Sequence, residues 1–254
     1  MPVHHISLDE VDSTNTYARS LAVQETDEWT VVTAEFQRAG RGAGSNTWES
    51  ERGQNLLFSI VLHPATLEAA HAFALSEALS LAISDALCSY VEDIHIKWPN
   101  DIYCGNCKMA GILIENDLTG QHVTRSILGA GVNVNQQHFT GGAPNPVSLR
   151  QLLGHEVGRD TLLHRILCHF RRYCDMAVTS RRDELHNLYV ARLYRLGCEG
   201  DYRDVAGDFR ATLTDVEPDG HLLLRDTAGE QRRYAFKEVA FLPDLRTRAR
   251  AHNI

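Results

Sequence analysis

The chain has 254 residues, 43% of them hydrophobic and 23% charged, which is the make-up of an ordinary globular protein with a sizeable core. Its formal net charge of −8 argues against a dedicated nucleic-acid binder, whose contact face is basic. The opening "MPVHHISLDEVDSTN" carries no basic segment followed by an apolar run, and later apolar stretches are broken by charges short of a membrane span, so no DNA or membrane partner is expected and a cytoplasmic, reducing setting with six free thiols is.

"HHISLDEVDSTNTYARSLAVQ" reads as a strand and then a helix, with Asp12, Ser13, Thr14 and Asn15 as N-cap candidates and Tyr17, Leu21 and Val23 as an apolar stripe. "EWTVVTAEFQ" is β-branched and reads as a strand running into the glycine loop "RAGRGAGSNTW"; "QNLLFSIVLH" is the next strand. "TLEAAHAFALSEALSLAISDALCSYV" has Ala and Leu at helical spacing. "IHIK" alternates, Trp98-Pro99-Asn100-Asp101 interrupts, and "DIY" and "KMAGILIEN" read as two strands joined at Gly105-Asn106. "HVTRSILGAGVNVNQ" alternates as a central strand, and "PNPVSLRQLLG" starts a helix. The stretch from Arg159 to Tyr194 reads as helical with a break at Thr179-Ser180. From Gly197 short strands follow one another, with turns at Pro218-Asp219-Gly220 and Ala228-Gly229, as in a small β-barrel; residues 243–254 read as a mobile tail. The expected division is a catalytic domain over 1–195 and a small β domain over 196–254.

Five short segments carry chemistry. The loop Glu35–Trp48 is neither a Walker P-loop nor a dinucleotide fingerprint, but its glycines allow close backbone approach and Arg41 offers a planar fork to phosphate or carboxylate. "KWPND" sets Lys97 and Asp101 around a rigid turn; alone it reads as a surface turn. In "CKMAGILIE", Lys108 is either an edge-strand lysine or a carboxylate and phosphate partner, with Gly111 letting a ligand lie on the strand. In "GAGVNVN", Gly129 and Gly131 open one strand face and Asn133 offers a hydrogen bond. "DSTN" alone is a helix cap. Cys104 and Cys107 form a CxxC, but Gly-Asn between two strands is a hairpin signal and no second CxxC completes a zinc site.

Taken in order, "DSTNTYA", "EFQRAGRG…W", "KWPNDIY", "KMAGILIE" and "GAGVNVN" resemble the biotin protein ligase family, the biotin–[acetyl-CoA-carboxylase] ligases. The resemblance implies an α+β fold: a class II aminoacyl-tRNA synthetase/biotin ligase-like mixed sheet with flanking helices, plus a small C-terminal Src-homology-3-like β-barrel. It implies activation of biotin by MgATP to biotinyl-5′-AMP, then transfer to a lysine of the biotin carboxyl carrier domain of a carboxylase, by a monomer or homodimer. Matched position by position, Ser13, Thr14, Asn15 and Gln37 meet biotin, with Gly40, Arg41, Gly42 and Ala43 as the loop that closes over it. Lys108 holds the biotin carboxylate and then the phosphate, Gly111 lies against biotin, Trp48 lies near adenine, and Asn133 faces the nucleotide. Asn100 and Asp101 support the phosphates; no dedicated metal site is implied, magnesium arriving with ATP near Asp101. Lys108 and Arg41 are the implied catalytic pair.

A common form of the family loop reads "GRGRxGRxW", whereas this chain has "GRGAGSNTW": Ala43, Ser45 and Asn46 replace an arginine, a glycine and an arginine. Fewer guanidiniums over the adenylate imply faster leakage of biotinyl-5′-AMP. The recognisable pattern begins near residue 10, so a DNA-binding repressor segment is not expected. The rival readings are a lipoate or octanoate ligase of the same fold and a non-catalytic biotin-binding protein.

Overall fold

A computed structural model describes residues 3–21, 29–44, 46–64, 66–141 and 145–242. Val23, Ser45 and the tail expected over 243–254 lie outside the described residues.

The chain order is β1 (Val3–Val11), α1 (Thr14–Ser20), β2 (Trp29–Gln37), β3 (Leu56–Leu62), α2 (Phe73–Cys88), β4 (Ile94–Lys97), β5 (Asp101–Cys104), β6 (Cys107–Thr119) and β7 (His122–Val132). There follow α3 (Leu149–Leu153), α4 (Arg159–Val178), α5 (Arg182–Val190), β8 (Glu199–Asp204), β9 (Gly207–Val216), β10 (Leu222–Asp226), β11 (Gln231–Tyr234) and β12 (Ala240–Phe241). Seven strands form one mixed sheet in the order β1-β2-β3-β7-β6-β5-β4, in which β1 and β2 are parallel and every other pair antiparallel. The last five form an antiparallel sheet, β11-β10-β9-β8-β12, whose end strands share no ladder.

Strand periodicity sorts the two faces of the large sheet. Phe58, Ile60, Leu128 and Ala130 point to the main core, where α2 and α4 pack. Val32, Val61 and Ile127 point the other way, onto Ala18 of α1, with Tyr17 and Leu21 beside them. Helix α2 is covered nearly all round: Leu75, Leu79, Ile83, Ala86 and Leu87 are fully buried, as its Ala- and Leu-rich sequence requires. It begins only at Phe73, because Ala69–His71 is a tight 3-10 turn; Thr179 ends α4 where the break was expected. The helical reading of 191–194 is corrected: α5 stops at Val190 and the chain folds onto β4, Tyr194 N–H donating to the Ile96 carbonyl at 2.8 Å. Helix α3 has a full capping box at Ser148 and Gln151 and ends on Gly154 at φ +77°.

The second sheet has its own aromatic cluster, Tyr202 lying 5.8 Å from Phe209 and 5.1 Å from Phe241 between ring centroids. Its β9–β10 turn reaches the large sheet, where Trp98 donates its indole N–H to the Gly220 carbonyl at 2.8 Å. Trp98 is 4% exposed, and the Trp98-Pro99 peptide is cis. Among the described residues no helix is long and apolar enough to cross a membrane.

Candidate active site

The centre of the site is a floor of glycines. Gly131 of β7 pairs with Gly111 of β6, and Gly111 with Asp101 of β5; two residues along, Gly129 pairs with Ser59 of β3 and with Leu113. Strand rise separates the two rows by about 7 Å. A β-carbon on Gly131 would collide with the Trp48 indole, and one on Gly111 would lie 3.1 Å from Trp48 Cζ3. A β-carbon on Gly129 would collide with the Asn15 carboxamide. These glycines therefore exist to let side chains from other elements lie flat on the sheet. The β6–β7 register runs through them without a bulge.

Above Gly129 stands a buried polar network. Gln37 Oε1 accepts from the Thr14 backbone N–H at 2.8 Å and from the Thr14 hydroxyl at 3.1 Å. Ser59 Oγ lies 2.6 Å from Asn15 Oδ1 and 2.8 Å from Thr14 Oγ1. Asn15 Nδ2 donates to the Leu113 carbonyl at 3.1 Å and to Glu115 at 3.0 Å. Ser13, Thr14, Asn15 and Ser59 are all under 5% exposed, so this is polarity placed inside the fold and satisfied there. Ser13 takes the N-cap position expected within "DSTN", but without a side-chain cap bond, and Thr14 and Asn15 are turned into this network.

Beside Gly111 lies the charged part. Lys108 Nζ is 2.6 Å from Asp101 Oδ1 and 5.8 Å from the Trp48 ring centroid. Lys108 sits on β6, an interior strand, which removes the edge-strand explanation for it. Lys97 donates to the Tyr103 hydroxyl at 3.0 Å and lies over the Tyr103 and Phe241 rings. Burial pulls the Lys97 ammonium below its usual range, partly offset by Asp101.

The glycine loop is a tight hairpin. Trp48 N–H donates to the Gly40 carbonyl at 2.9 Å, Gly42 N–H to the Asn46 carbonyl at 2.8 Å, and Gly44 turns at φ +68°. Arg41 reaches Glu115 through both terminal nitrogens, at 3.1 and 3.3 Å. Among the described residues the buried Trp48 indole N–H has no partner.

Together these segments line one cavity of about 470 Å³. It gathers Ser13, Thr14, Asn15, Gln37, Arg41, Gly42, Ala43, Trp48, Asn100, Asp101, Lys108 and Gly111. Two expected residues stand outside it. Gly40 closes the neck of the hairpin, a β-carbon there colliding with the Trp48 carbonyl. Asn133 is 3% exposed and braces the main chain of β6, its N–H donating to the Met109 carbonyl at 2.8 Å and its amide to the Lys108 carbonyl at 3.3 Å. Sequence reasoning missed Ser59, which no motif contains, the part played by Glu115, the last residue of "KMAGILIE", and the second-sheet wall of Phe236, Lys237 and Phe241. Only a three-dimensional pairing reveals these roles; the sequence signals are Ser59 inside an otherwise apolar strand and Glu115 at the end of that segment.

The CxxC flanks the β5–β6 turn, Cys104 opposite Cys107, both free thiols. Asp101 is the one carboxylate among the described residues of the cavity wall. A set of three metal-capable groups, Glu217, Asp219 and His221, lies outside the cavity, where Arg233 contacts all three.

Residues 8–133 match the family model of the biotin/lipoate A/B protein ligase family. The chain is 33% identical over 236 residues to the biotin–[acetyl-CoA-carboxylase] ligase of Paracoccus denitrificans, covering 88% of this chain and 95% of that one. It is 30% identical over 242 residues to the bifunctional ligase/repressor BirA of Bacillus spizizenii, covering 92% of this chain and 73% of that one. Among solved structures, the biotin protein ligase of Aquifex aeolicus in complex with biotin and ATP superposes with a TM-score of 0.78 at 26% identity, covering 95% of this chain and 99% of that one. With its glycine floor, polar network and lysine–aspartate pair on this sheet order, the chain belongs to the biotin protein ligase family.

Proposed function

We propose that the chain is an ATP-dependent biotin protein ligase and that this one cavity carries both half-reactions. The observation that carries this reading is the placement of the Thr14–Asn15–Gln37 network and the Lys108–Asp101 pair on one glycine floor. A small polar ring set among apolar walls needs a few fixed donors and acceptors. Ser13, Thr14, Asn15 and Gln37 supply them for the ureido ring of biotin, with Ser59 and Glu115 holding them in orientation.

In the first step a biotin carboxylate oxygen bonds to the α-phosphorus of ATP. The bond to the bridging β-phosphate oxygen breaks, and pyrophosphate leaves with the electron pair. Lys108 meets the biotin carboxylate and then the phosphate of the mixed anhydride; a fixed cation where negative charge gathers is electrostatic catalysis. Asp101 holds the Lys108 amine in place at 2.6 Å. Magnesium enters with ATP as part of the substrate, and Asp101 with Asn100 is the wall it meets; one carboxylate plus phosphate oxygens is the usual magnesium environment. Arg41 and the Gly42–Ala43 backbone close over the intermediate, and Trp48 on Gly131 offers a stacking face to adenine. Gly111 gives the ligand its close approach; Gly40 and Asn133 act through the hairpin neck and the Lys108 main chain.

In the second step the neutral amine of an acceptor lysine attacks the acyl carbon. The bond to AMP breaks, AMP leaves with the electron pair, and the amine proton is lost to water. The acyl-adenylate is itself the activated species, so no protein nucleophile takes part. The acceptor is the carrier domain of a biotin-dependent carboxylase, and the second sheet, β8 to β12, covers the nucleotide.

The test incubates the protein with MgATP, biotin and an isolated biotin carboxyl carrier domain. The reading expects one biotinyl group on the carrier lysine by intact mass, with AMP formed in equal amount. An unmodified carrier in the presence of a folded, biotin-binding enzyme contradicts it.

A further inference from the structure

Among the described residues four cations line the cavity, and three of them already have partners. Arg41 pairs with Glu115, Lys108 with Asp101, and Lys97 donates to Tyr103 and lies on its ring. The fourth is Lys237, in the turn between β11 and β12, and it makes no ion pair among the described residues.

Two further observations concern Lys237. Its ammonium lies against Gly44 at the tip of the glycine hairpin, so that any β-carbon on Gly44 would collide with it. Its backbone stands at φ +71°, the left-handed region where glycine is the unstrained choice. The fold therefore holds a strained lysine over the loop whose own sequence has Ala43 and Asn46 in place of basic residues. Strain retained at a cavity wall is a mark of use.

Resting on the ligase reading above, we propose that Lys237 is a phosphate-contacting residue of the adenylation step, lent to the catalytic cavity by the second sheet. When biotin attacks the α-phosphorus, the leaving pyrophosphate carries the electron pair of the broken bond. The Lys237 ammonium, free of carboxylates and beside the hairpin tip, neutralises that charge without giving up a proton. It supplies from the second sheet the cation that Ala43 does not supply from the loop itself. The same contact couples closure of the hairpin to the second sheet.

The test compares wild type with Lys237→Gly, Lys237→Ala and Lys237→Arg in biotin-dependent exchange of pyrophosphate into ATP, with biotin affinity measured separately without nucleotide. Losing one charge-assisted hydrogen bond to phosphate raises the KM for ATP by about tenfold or more in the glycine and alanine variants. Biotin affinity without ATP stays within about twofold of wild type, and Lys237→Arg recovers most of the loss. Lys237→Gly relieves the left-handed strain, so it melts no lower than wild type, which separates lost chemistry from lost folding. An unchanged ATP KM in both neutral variants overturns the proposal. So does an equal loss of biotin affinity, which would make Lys237 a packing residue. Absence of exchange in wild type is a different result, and overturns the ligase reading instead.

Discussion

Asn15 and Gly129 occupy one another's space: the Asn15 carboxamide lies where any side chain at Gly129 would stand. The fit joins the first helix to the central strand across 114 residues of sequence, and the amide, so seated, bridges Ser59, Leu113 and Glu115. Gly129→Ala displaces Asn15 and breaks that network. Biotin affinity, measured by calorimetry without ATP, falls about tenfold to a hundredfold, and overpacking lowers stability by about 1–3 kcal/mol. Unchanged affinity in a folded variant would mean that the network does not serve the ligand.

The Lys108–Asp101 pair separates binding from chemistry. Lys108→Met keeps the stem and removes the charge. Biotinyl-5′-AMP formation in a single turnover slows by about a hundredfold or more, the scale of losing one fixed group at developing charge. Asp101→Asn leaves Lys108 charged but unanchored and gives a smaller loss in rate with a raised KM for ATP. Equal, mild effects of both changes would remove the pair from the mechanism.

On the proposed reading, the hairpin sequence sets adenylate retention. Ala43→Arg adds a guanidinium beside the hairpin tip and slows dissociation of biotinyl-5′-AMP, read by filter binding or chase, by about fivefold, the scale of one exposed phosphate contact. An unchanged release rate contradicts the loop argument.

Glu77 and His186 give the fold a pH signature away from the cavity. His186 Nδ1 lies 2.6 Å from Glu77 Oε1, and Glu77 is 2% exposed. The hydrogen bond to Glu77 raises the imidazole above its ordinary value of 6.5, with Asp215 of β9 adding to it; burial raises the Glu77 carboxyl. A raised histidine pKa means the folded state holds its proton more tightly than the unfolded chain. Its stabilisation is fully present below about 6.5 and is lost as pH rises through the folded value. Urea midpoints therefore fall as pH climbs from 6 towards 9, and Glu77→Gln flattens that slope. His186→Ala leaves the buried carboxylate unpaired and costs about 3–5 kcal/mol at neutral pH. A wild-type midpoint flat across this range contradicts the assignment.

Trp98 ties the two sheets through Gly220. Trp98→Phe keeps most of the buried ring and loses the N–H, lowering stability by about 1 kcal/mol in urea unfolding. Because that turn anchors the sheet that carries Lys237, the KM for ATP rises severalfold while biotin affinity holds. A change in stability with no change in KM would show the two sheets to be uncoupled.

Much of this was legible in the sequence because the relevant signals are local. The glycines of "GAGVNVN", the hairpin at Gly105-Asn106, the Ala- and Leu-rich α2 and the break at Thr179 follow from backbone freedom, turn chemistry and periodicity. Twelve of the fourteen site candidates line the cavity, with Gly40 and Asn133 just behind it. What was not legible depends on pairing across the fold. Ser59 looks like one polar residue in a core strand until Thr14 and Asn15 are seen beside it. Glu115 closes "KMAGILIE" without an evident role until Arg41 and Asn15 meet it. "DSTN" reads as a cap because the local rule knows nothing of Gln37. Lys237 sits in a segment whose composition says only that strands are short there.

The most direct test of the central claim is exchange of labelled pyrophosphate into ATP with biotin, lipoate, octanoate or no acid added. The account predicts exchange with biotin alone, abolished by Lys108→Met. Exchange driven by lipoate or octanoate, or none with any acid from a folded protein that binds biotin, would contradict it.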